Sequence, residues 1–382
     1  MRVLILGGDG YLGWPTAMHL SAAGHEVAVV DNYLRRRIAR DEDVEPLLEA
    51  PNLDERGRLW KERSGRDIEV MIRDLQDPGA CDEIFEVFKP EVIVHYAEQP
   101  SAPYSMLRDD AARVTLHNNL GVTLNLILAV RRHCPDAHIV KLGTMGEYGT
   151  PNVDIPEGWF DFEHNGRSDR ALFPRQAGSL YHTTKIMDTD LLWYYVRMWD
   201  LRVTDLMQGP VYGLVTDENG GDESLLPSFA YDEIFGTVLN RFIVQAVAGY
   251  PLTVYGKGGQ TRGYLNLKDT LNCIKLAADN PPDRGELRIF NQFTETFSVN
   301  ELASRVESVG GSLGINVEIK QIDNPRKEKE EHYYNPAHTG LLELGLEPNF
   351  LTDERLAEMI EFVSKYRDRI SSERIFRGVK WA

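Results

Sequence analysis

Tyr181 and Lys185 stand four residues apart in the run Tyr181-His182-Thr183-Thr184-Lys185, a spacing that puts a phenol and an ammonium on one face of a helix. A lone phenol titrates near pH ~10, and an adjacent cation makes it a usable base by favouring the phenolate. Upstream, the apolar stretch 138–142 ends in Gly143-Thr144, so a strand there carries the Thr144 hydroxyl to the carboxyl end of a sheet. Together these three side chains could hold a hydroxyl oxygen, take its proton and stabilise the charge that develops. A Y-x-x-x-K string also occurs by chance. Its weight comes from the elements that must bring Thr144 to it.

Those elements begin at the N-terminus. Residues 3–6 are a short apolar run ending in Gly7-Gly8-Asp9-Gly10-Tyr11-Leu12-Gly13, and a helical pattern follows as far as Gly24. Strand, glycine turn and helix in this order are the setting of a dinucleotide fingerprint. Gly7 permits the tight turn, Gly10 lets backbone N–H groups approach a diphosphate, and Gly13 lets helix and strand pack closely. Asp31 closes a second apolar run, 27–30. A carboxylate there accepts hydrogen bonds from adenosine ribose hydroxyls and disfavours a 2′-phosphate, which points to NAD in preference to NADP. Arg35, Arg36 and Arg37 follow, and any of them could turn toward a phosphate. Asp74-Leu75 ends the third strand and would flank the adenine. The expected cofactor pocket adds Tyr11, Leu12, Asn32 and Arg36 from the first two turns, Tyr96, Ala97 and Asn119 from the next, and Lys185, Gln208 and Val211 beyond.

Further strand candidates at 68–72, 91–95, 138–142 and 201–207 alternate with helical stretches around 78–88, 103–133 and 180–199. This predicts an α/β fold, a doubly wound parallel sheet of the Rossmann type covered on both faces. The NAD-binding domain is expected over 1–207, with insertions at 32–66 and 149–178. The first insertion is rich in charge, and is either an exposed helical excursion or a flexible loop. The second is long and irregular, which reads as a wall or lid over a site. After Leu206 the pattern loses its regularity, and Gly/Pro-rich stretches alternate with helices near 233–249, 267–279, 298–309 and 353–367. A smaller mixed α/β lobe is expected over 208–382, with room for segments that return to the main sheet.

The chain has 382 residues, 42% hydrophobic and 26% charged, enough to bury a large core without staples. Its 59 acidic against 42 basic residues leave −17, which repels a phosphate backbone and an anionic membrane at long range and argues against both as partners. Cys81, Cys134 and Cys273 are too few and too scattered for a disulfide frame or a zinc site, so reduced thiols and no metal are expected. An apolar strand starting at position 3 leaves no room for a secretory leader, which predicts a cytoplasmic protein.

The glycine turn, the strand-end Thr144 and the Tyr181/Lys185 pair resemble the extended short-chain dehydrogenase/reductase superfamily, of the NAD-dependent epimerase/dehydratase type. Longer strings resemble one branch of it closely, the UDP-sulfoquinovose synthases. They are Glu98-Gln99 with 101–106 (SAPYSM), 141–151 (KLGTMGEYGTP), 164–167 (HNGR), 252–264 (LTVYGKGGQTRGY), 291–302 (NQFTETFSVNEL) and 330–335 (EEHYYN). The likeness runs over nearly the whole chain. It implies NAD as cofactor, UDP-glucose and sulfite as substrates and a homodimer, and it leaves room for a sulfite-donating protein. In the implied reaction the sugar is oxidised at carbon 4, with Tyr181 as base, Lys185 lowering its pKa and Thr144 holding the oxygen. The ketone acidifies carbon 5, water leaves carbon 6, sulfite adds to the 5,6-alkene and the hydride returns. The alternative is a UDP-sugar 4-epimerase or 5,6-dehydratase without sulfite. The retained Tyr181/Lys185 pair speaks against a non-enzymatic NAD-binding scaffold.

Sugar 4,6-dehydratases carry an Asp-Glu pair directly after the threonine, where this chain has Met145-Gly146. The elimination must use other groups, and Glu147 and His182 are the nearest titratable candidates. Glu147 could instead face solvent, and His182 is turned about 100° round the helix from Tyr181. The residue after Glu98-Gln99 is, in the resembled family, an arginine thought to help hold sulfite; here it is Pro100, which donates nothing to an anion. Arg167, Arg175 and His182 are candidate replacements. Arg262, ending 256–262 (GKGGQTR), matches the position where superfamily members place an arginine on the diphosphate, a task suited to a guanidinium fork. Arg326 is either a second such arginine or part of the surface charge run 326–331 (RKEKEE). Asn240, Tyr255 and Gln260 are expected to line the uridine pocket and Gln99 to meet the substrate.

Overall fold

The computed structural model describes residues 1–324 and 333–376. Seven strands form one parallel sheet: β1 (Arg2–Leu6), β2 (Glu26–Asp31), β3 (Ile68–Ile72), β4 (Val92–His95), β5 (His138–Thr144), β6 (Arg202–Gln208) and β7 (Glu286–Gln292). Their order is β7-β6-β5-β4-β1-β2-β3, with every neighbouring pair parallel. Strand β1 reads as a continuous apolar run because both its faces are covered. Leu4 and Leu6 pack into one layer with Phe85, Leu126 and Val196. Val3 and Ile5 pack into the other with Trp14, Trp60 and Ile274, as the two-residue period of a strand requires. The direction of winding reverses between β1 and β4, so the crevice at their carboxyl ends is the switch point where such sheets bind ligands. Three helices frame that crevice: α1 (Gly13–Ala22), α2 (Asp109–His133) and α3 (Leu180–Trp199). Among the described residues, no helix is long and apolar enough to cross a membrane.

A further core, around Phe242, Leu302 and Leu356, holds the C-terminal half together. It joins the helices Val238–Ala248, Val299–Ser312 and Asp353–Ser364 to two small sheets. Strand β7 also comes from this half, so the residues after 208 serve both parts of the molecule.

Two sequence expectations change. The stretch 32–66 folds into helices Leu34–Asp41 and Leu53–Ser64, but the second is no solvated excursion: Leu53, Arg56 and Trp60 are buried. The Trp60 indole N–H donates to Ser21 Oγ at 3.1 Å, pinning the insertion to α1. The stretch 149–178 contains an antiparallel hairpin, Trp159–His164 with Arg167–Leu172, turning on Asn165-Gly166, both at positive φ, the chemistry of a tight two-residue turn. None of its residues lines the main cavity, so it does not form a wall of it.

Candidate active site

A cavity of 380 Å³ opens where the strands end. The glycine turn forms its floor. Gly7 has φ +92°, and a Cβ there would lie 2.7 Å from the Tyr96 carbonyl carbon, while one on Gly13 would lie 2.0 Å from the Gly7 oxygen. A side chain at either would break the turn; at Gly10 it would meet only the Gly7 oxygen, at 3.4 Å. Asp31 accepts the backbone N–H groups of Asp9 (2.9 Å) and Tyr33 (2.6 Å), and burial, aided by the charge of Asp9, pushes its pKa up to about 6. Tyr11, Leu12, Asn32, Asp74, Leu75, Tyr96, Ala97, Gln208 and Val211 also line the cavity. A cradle with no space for side chains, followed by a carboxylate at the end of β2, fits NAD.

Three expected cofactor residues stand back from the cavity. Asn119 is buried behind the wall, accepting the Gln99 N–H at 2.9 Å and donating to Thr184 Oγ1 at 3.0 Å. Its neighbour Asn118 lines the cavity instead. Arg36 forks onto Asp9 at 2.6 and 2.7 Å, and Arg56 engages the same carboxylate. Arg35 takes the position facing the cavity, with its guanidinium 4.9 Å from the Phe235 ring centre. One residue along a helix is a turn of about 100°, which separates each pair. Lys185 is reached through Glu98, a lining residue with which its ammonium forms an ion pair.

At the other end, Thr144 and Tyr181 line the cavity together. Thr144 ends β5 and caps the single turn Met145–Glu147, accepting the Gly146 N–H at 3.2 Å. Tyr181 lies in the first turn of α3, where Ser179 is the cap and accepts the His182 N–H at 3.2 Å. Burial, then Glu98 and Glu147, push the Tyr181 phenol upward, with Lys141 opposing. For Lys185, burial works against the charge, but Glu98 and Asp188 outweigh it and the pKa is raised.

Glu147 neither faces solvent nor lines the cavity. It is fully buried, with Oε1 3.4 Å from both Lys141 Nζ and the Thr144 nitrogen and Oε2 3.2 Å from Arg175. Its geometry holds the turn after β5. His182 is not among the lining residues either, but it is half-buried beside them: a Cβ on Gly146 would sit 2.4 Å from His182 Nε2. The imidazole thus occupies the space into which a side chain at 146 would project, and Nδ1 lies 3.0 Å from Ser179 Oγ.

Asn240 lines the far wall with Thr237. Asn240 Oδ1 and Thr237 Oγ1 are buried without a partner among the described residues, polar atoms left for a ligand to satisfy. Pro100 is in the wall. Gln99 is not, since its amide donates to Thr115 Oγ1 at 2.8 Å and the Ser101 carbonyl at 3.0 Å. Tyr255 donates to Glu233 at 2.5 Å beneath Arg241, and Gln260 donates to the Tyr255 carbonyl at 3.3 Å. Arg262 donates to the Thr261 carbonyl at 2.8 Å. None of these three lines the cavity, and Arg326 lies outside the described residues. Among the candidate replacements for an arginine at 100, Arg167 is on the exposed hairpin, and Arg175 is engaged by Glu147 and by Asp190 at 2.5 Å. His182 is the one of the three whose ring lies against Gly146. Sequence reasoning passed over Asp9, Arg73 and Glu98 as lining residues, and of the three arginines it offered to a phosphate, Arg35 is the one that lines the cavity. Glu98 had a signal, standing one position beyond Ala97 on the same strand-end turn.

The NAD dependent epimerase/dehydratase family matches over residues 3–291. A chloroplastic UDP-sulfoquinovose synthase of Spinacia oleracea is 47% identical over 380 residues, covering 100% of this chain and 79% of its own. A UDP-sulfoquinovose synthase of Sulfolobus acidocaldarius is 45% identical over 384 residues, covering 100% of this chain and 98% of its own. Among solved structures, the UDP-glucuronic acid 4-epimerase of Bacillus cereus, in complex with UDP-glucuronic acid and NAD, superposes with a TM-score of 0.71 at 17% identity. That match covers 97% of this chain and 99% of the other, and it is a likeness of fold. A cavity floored by the glycine turn and ended by Thr144 and Tyr181, with full-length identity at this level, places the chain in the NAD-dependent epimerase/dehydratase family, on the branch of the UDP-sulfoquinovose synthases.

Proposed function

We propose that this protein forms UDP-sulfoquinovose from UDP-glucose and sulfite. The observation that carries the reading is the single cavity that joins the glycine turn and Asp31 at one end to Thr144 and Tyr181 at the other, in a chain 47% and 45% identical to two such synthases. Bound NAD⁺ supplies a reversible hydride acceptor. Gly7, Gly10 and Gly13 would let the backbone close on its diphosphate, and Asp31 would accept the ribose hydroxyls. Tyr181 takes the proton of the sugar 4-hydroxyl, Lys185 favours the phenolate, and Thr144 holds the oxygen.

Once carbon 4 is a ketone, the carbon 5 proton is acidic and water can leave carbon 6. We assign this transfer to His182. Its imidazole fills the space over Gly146, where dehydratases carry a carboxylate, and one imidazole can take the carbon 5 proton and hand it to the departing hydroxyl. Glu147, buried between Lys141 and Arg175, keeps the turn in place. Sulfite then adds at carbon 6 while carbon 5 takes back a proton, and reduction at carbon 4 would restore the hydroxyl, with Tyr181 returning the proton to its oxygen. With Pro100 in the wall, this addition proceeds without a guanidinium at that position. The proposed assembly is a homodimer through the outer faces of α2 and α3, where Met187, Tyr194 and Met198 are exposed.

Incubation of the purified protein with UDP-glucose, with and without sulfite, tests the reading through the product masses. A sulfonated nucleotide sugar is expected only when sulfite is present. An epimer or a dehydrated sugar as the sole product in both reactions would replace it with a 4-epimerase or 5,6-dehydratase.

A further inference from the structure

Three titratable groups behind Tyr181 have no part in the reaction above: Glu98, Asp188 and His95. Glu98 follows β4, lines the cavity and is only 5% exposed. Its Oε1 pairs with Lys185 Nζ, and its Oε2 is buried without a partner among the described residues. His95 Nε2 lies 3.6 Å from Glu98 Oε1 and 3.1 Å from Thr123 Oγ1. Burial, with Lys185 and Lys141 nearby, pushes the His95 pKa well down and favours the neutral ring. Asp188 is 4.0 Å from Lys185, and burial with the charge of Glu98 pushes its pKa well up. Glu98 is therefore the carboxylate in hydrogen-bond contact with the lysine, with Asp188 farther off.

We propose that Glu98 is a positioning residue for proton transfer at Tyr181: its carboxylate fixes the Lys185 ammonium at the cavity wall and offsets part of its charge, setting the pH at which the phenol becomes a base. This role rests on Tyr181 being the base for the sugar hydroxyl. The other ionisable groups that act on Tyr181 are Asp188 on α3, Lys141 on β5 and Glu147 after it, with the neighbouring His182 ring centre 5.2 Å away; Lys185 stands one turn further along α3. Lys141 is tied to Asp205 at 3.0 Å and Thr189 at 2.7 Å, and Glu147 to Lys141 and Arg175. Those charges are spent on partners that do not line the cavity. Glu98 both lines it and touches the lysine, so a change there reaches the phenol directly as well as by way of Lys185.

A carboxylate near a phenol raises its pKa, and a cation lowers it. Glu98→Gln keeps the shape and removes the charge, leaving one carboxylate fewer to oppose the cations beside Tyr181. The acid limb of the pH profile for reduction of bound NAD⁺ by UDP-glucose is expected to move to lower pH by about one unit, with KM for UDP-glucose unchanged within a few-fold. Glu98→Asp keeps the charge but withdraws it from Lys185, and is expected to move the limb the same way by less. Stopped-flow nicotinamide absorbance across the limb reads both variants. A midpoint unmoved, or moved to higher pH, in Glu98→Gln overturns the proposal. If that variant does not fold, the direction in Glu98→Asp decides, and no movement there overturns it. Tyr181→Phe separates the two levels: wild-type reduction in that variant would refute Tyr181 as base, whereas its inactivity with an unmoved Glu98→Gln profile would refute only Glu98.

Discussion

Asp31 is buried beside a second carboxylate, Asp9, and its pKa of about 6 follows from burial first and from that neighbour second. Ribose hydroxyls donate better to the ionised form, so binding NAD favours loss of the proton. NAD affinity is expected to rise as the pH increases through about 6 and then to level, and titration calorimetry at several pH values checks this. Asp31→Asn should flatten the dependence, and NADP should bind the wild type much more weakly, because its 2′-phosphate would meet this carboxylate. Gly146 carries the second residue-scale prediction. A Cβ there would lie 2.4 Å from His182 Nε2, at the end of a side chain that can move, so Gly146→Ala should fold and displace the imidazole. Reduction of bound NAD⁺ by UDP-glucose should stay within a few-fold of wild type, while sulfonated product forms about a hundredfold more slowly, a usual loss for a missing acid–base group. Equal losses in the two assays would remove His182 from the elimination. At Pro100, an arginine would return a charge-assisted hydrogen bond of about 1.5–3 kcal/mol. Pro100→Arg should lower the sulfite concentration for half-maximal product by about ten- to a hundredfold; no change would mean that another cation already holds the anion.

The glycine turn is tied to the insertion 32–66 by one carboxylate. Asp9 meets Arg36, on the helix Leu34–Asp41, and the fully buried Arg56, on Leu53–Ser64, whose guanidinium lies 5.0 Å over the Trp14 ring of α1. Removing Arg56 leaves a buried charge half paired, which costs about 3 kcal/mol. Arg56→Met is expected to lower the denaturant midpoint accordingly and to weaken NAD binding, while Arg58→Met, which breaks an exposed pair with Glu62, should cost less than about 1 kcal/mol. The same contacts mark how far the sequence could be read. Strands β1, β2, β4 and β5 announce themselves as apolar runs because both faces are covered, and the glycine turn because Gly7 and Gly13 tolerate no Cβ. The insertion misleads because most of its charges face water while a few, Glu42 and Arg56 among them, turn inward, Arg56 to a partner 47 residues earlier. Glu98 meets Lys185 across 87 residues, and no local spacing encodes such a pair. Asn119 for Asn118 and Arg36 for Arg35 are misses of one position, since composition locates a helix but not its phase. The tight turn of the hairpin is written in Asn165-Gly166, whereas its distance from the cavity depends on how the whole chain packs.

The chain carries a net charge of −17, yet α3 shows water an apolar stripe: Met187 is 41% exposed, Tyr194 49% and Met198 53%. Intervals of seven and four keep these residues on one face of the helix, with the half-buried Leu120 and Leu124 on the adjoining α2. Large apolar groups clustered in this way mark a contact surface, and two copies meeting through these helices would bury them in a four-helix layer. The charge works against that contact. Two chains of the same sign repel most when the Debye length is about 30 Å, and much less once salt reduces it to about 10 Å, so the dimer should tighten as salt is added through that range. Tyr194→Glu would place an unpaired charge in the contact at a cost of several kcal/mol, and at 1.4 kcal/mol per decade this weakens association by about a hundredfold or more. Sedimentation velocity should then find wild type at twice the 43.4 kDa chain mass and the variant at the single mass. Because Tyr194 stands more than three turns of α3 beyond Tyr181, the monomeric variant should still reduce bound NAD⁺ when given UDP-glucose. A wild type that stays at the single mass at micromolar concentration and all salt levels would show that this face meets something other than a second copy.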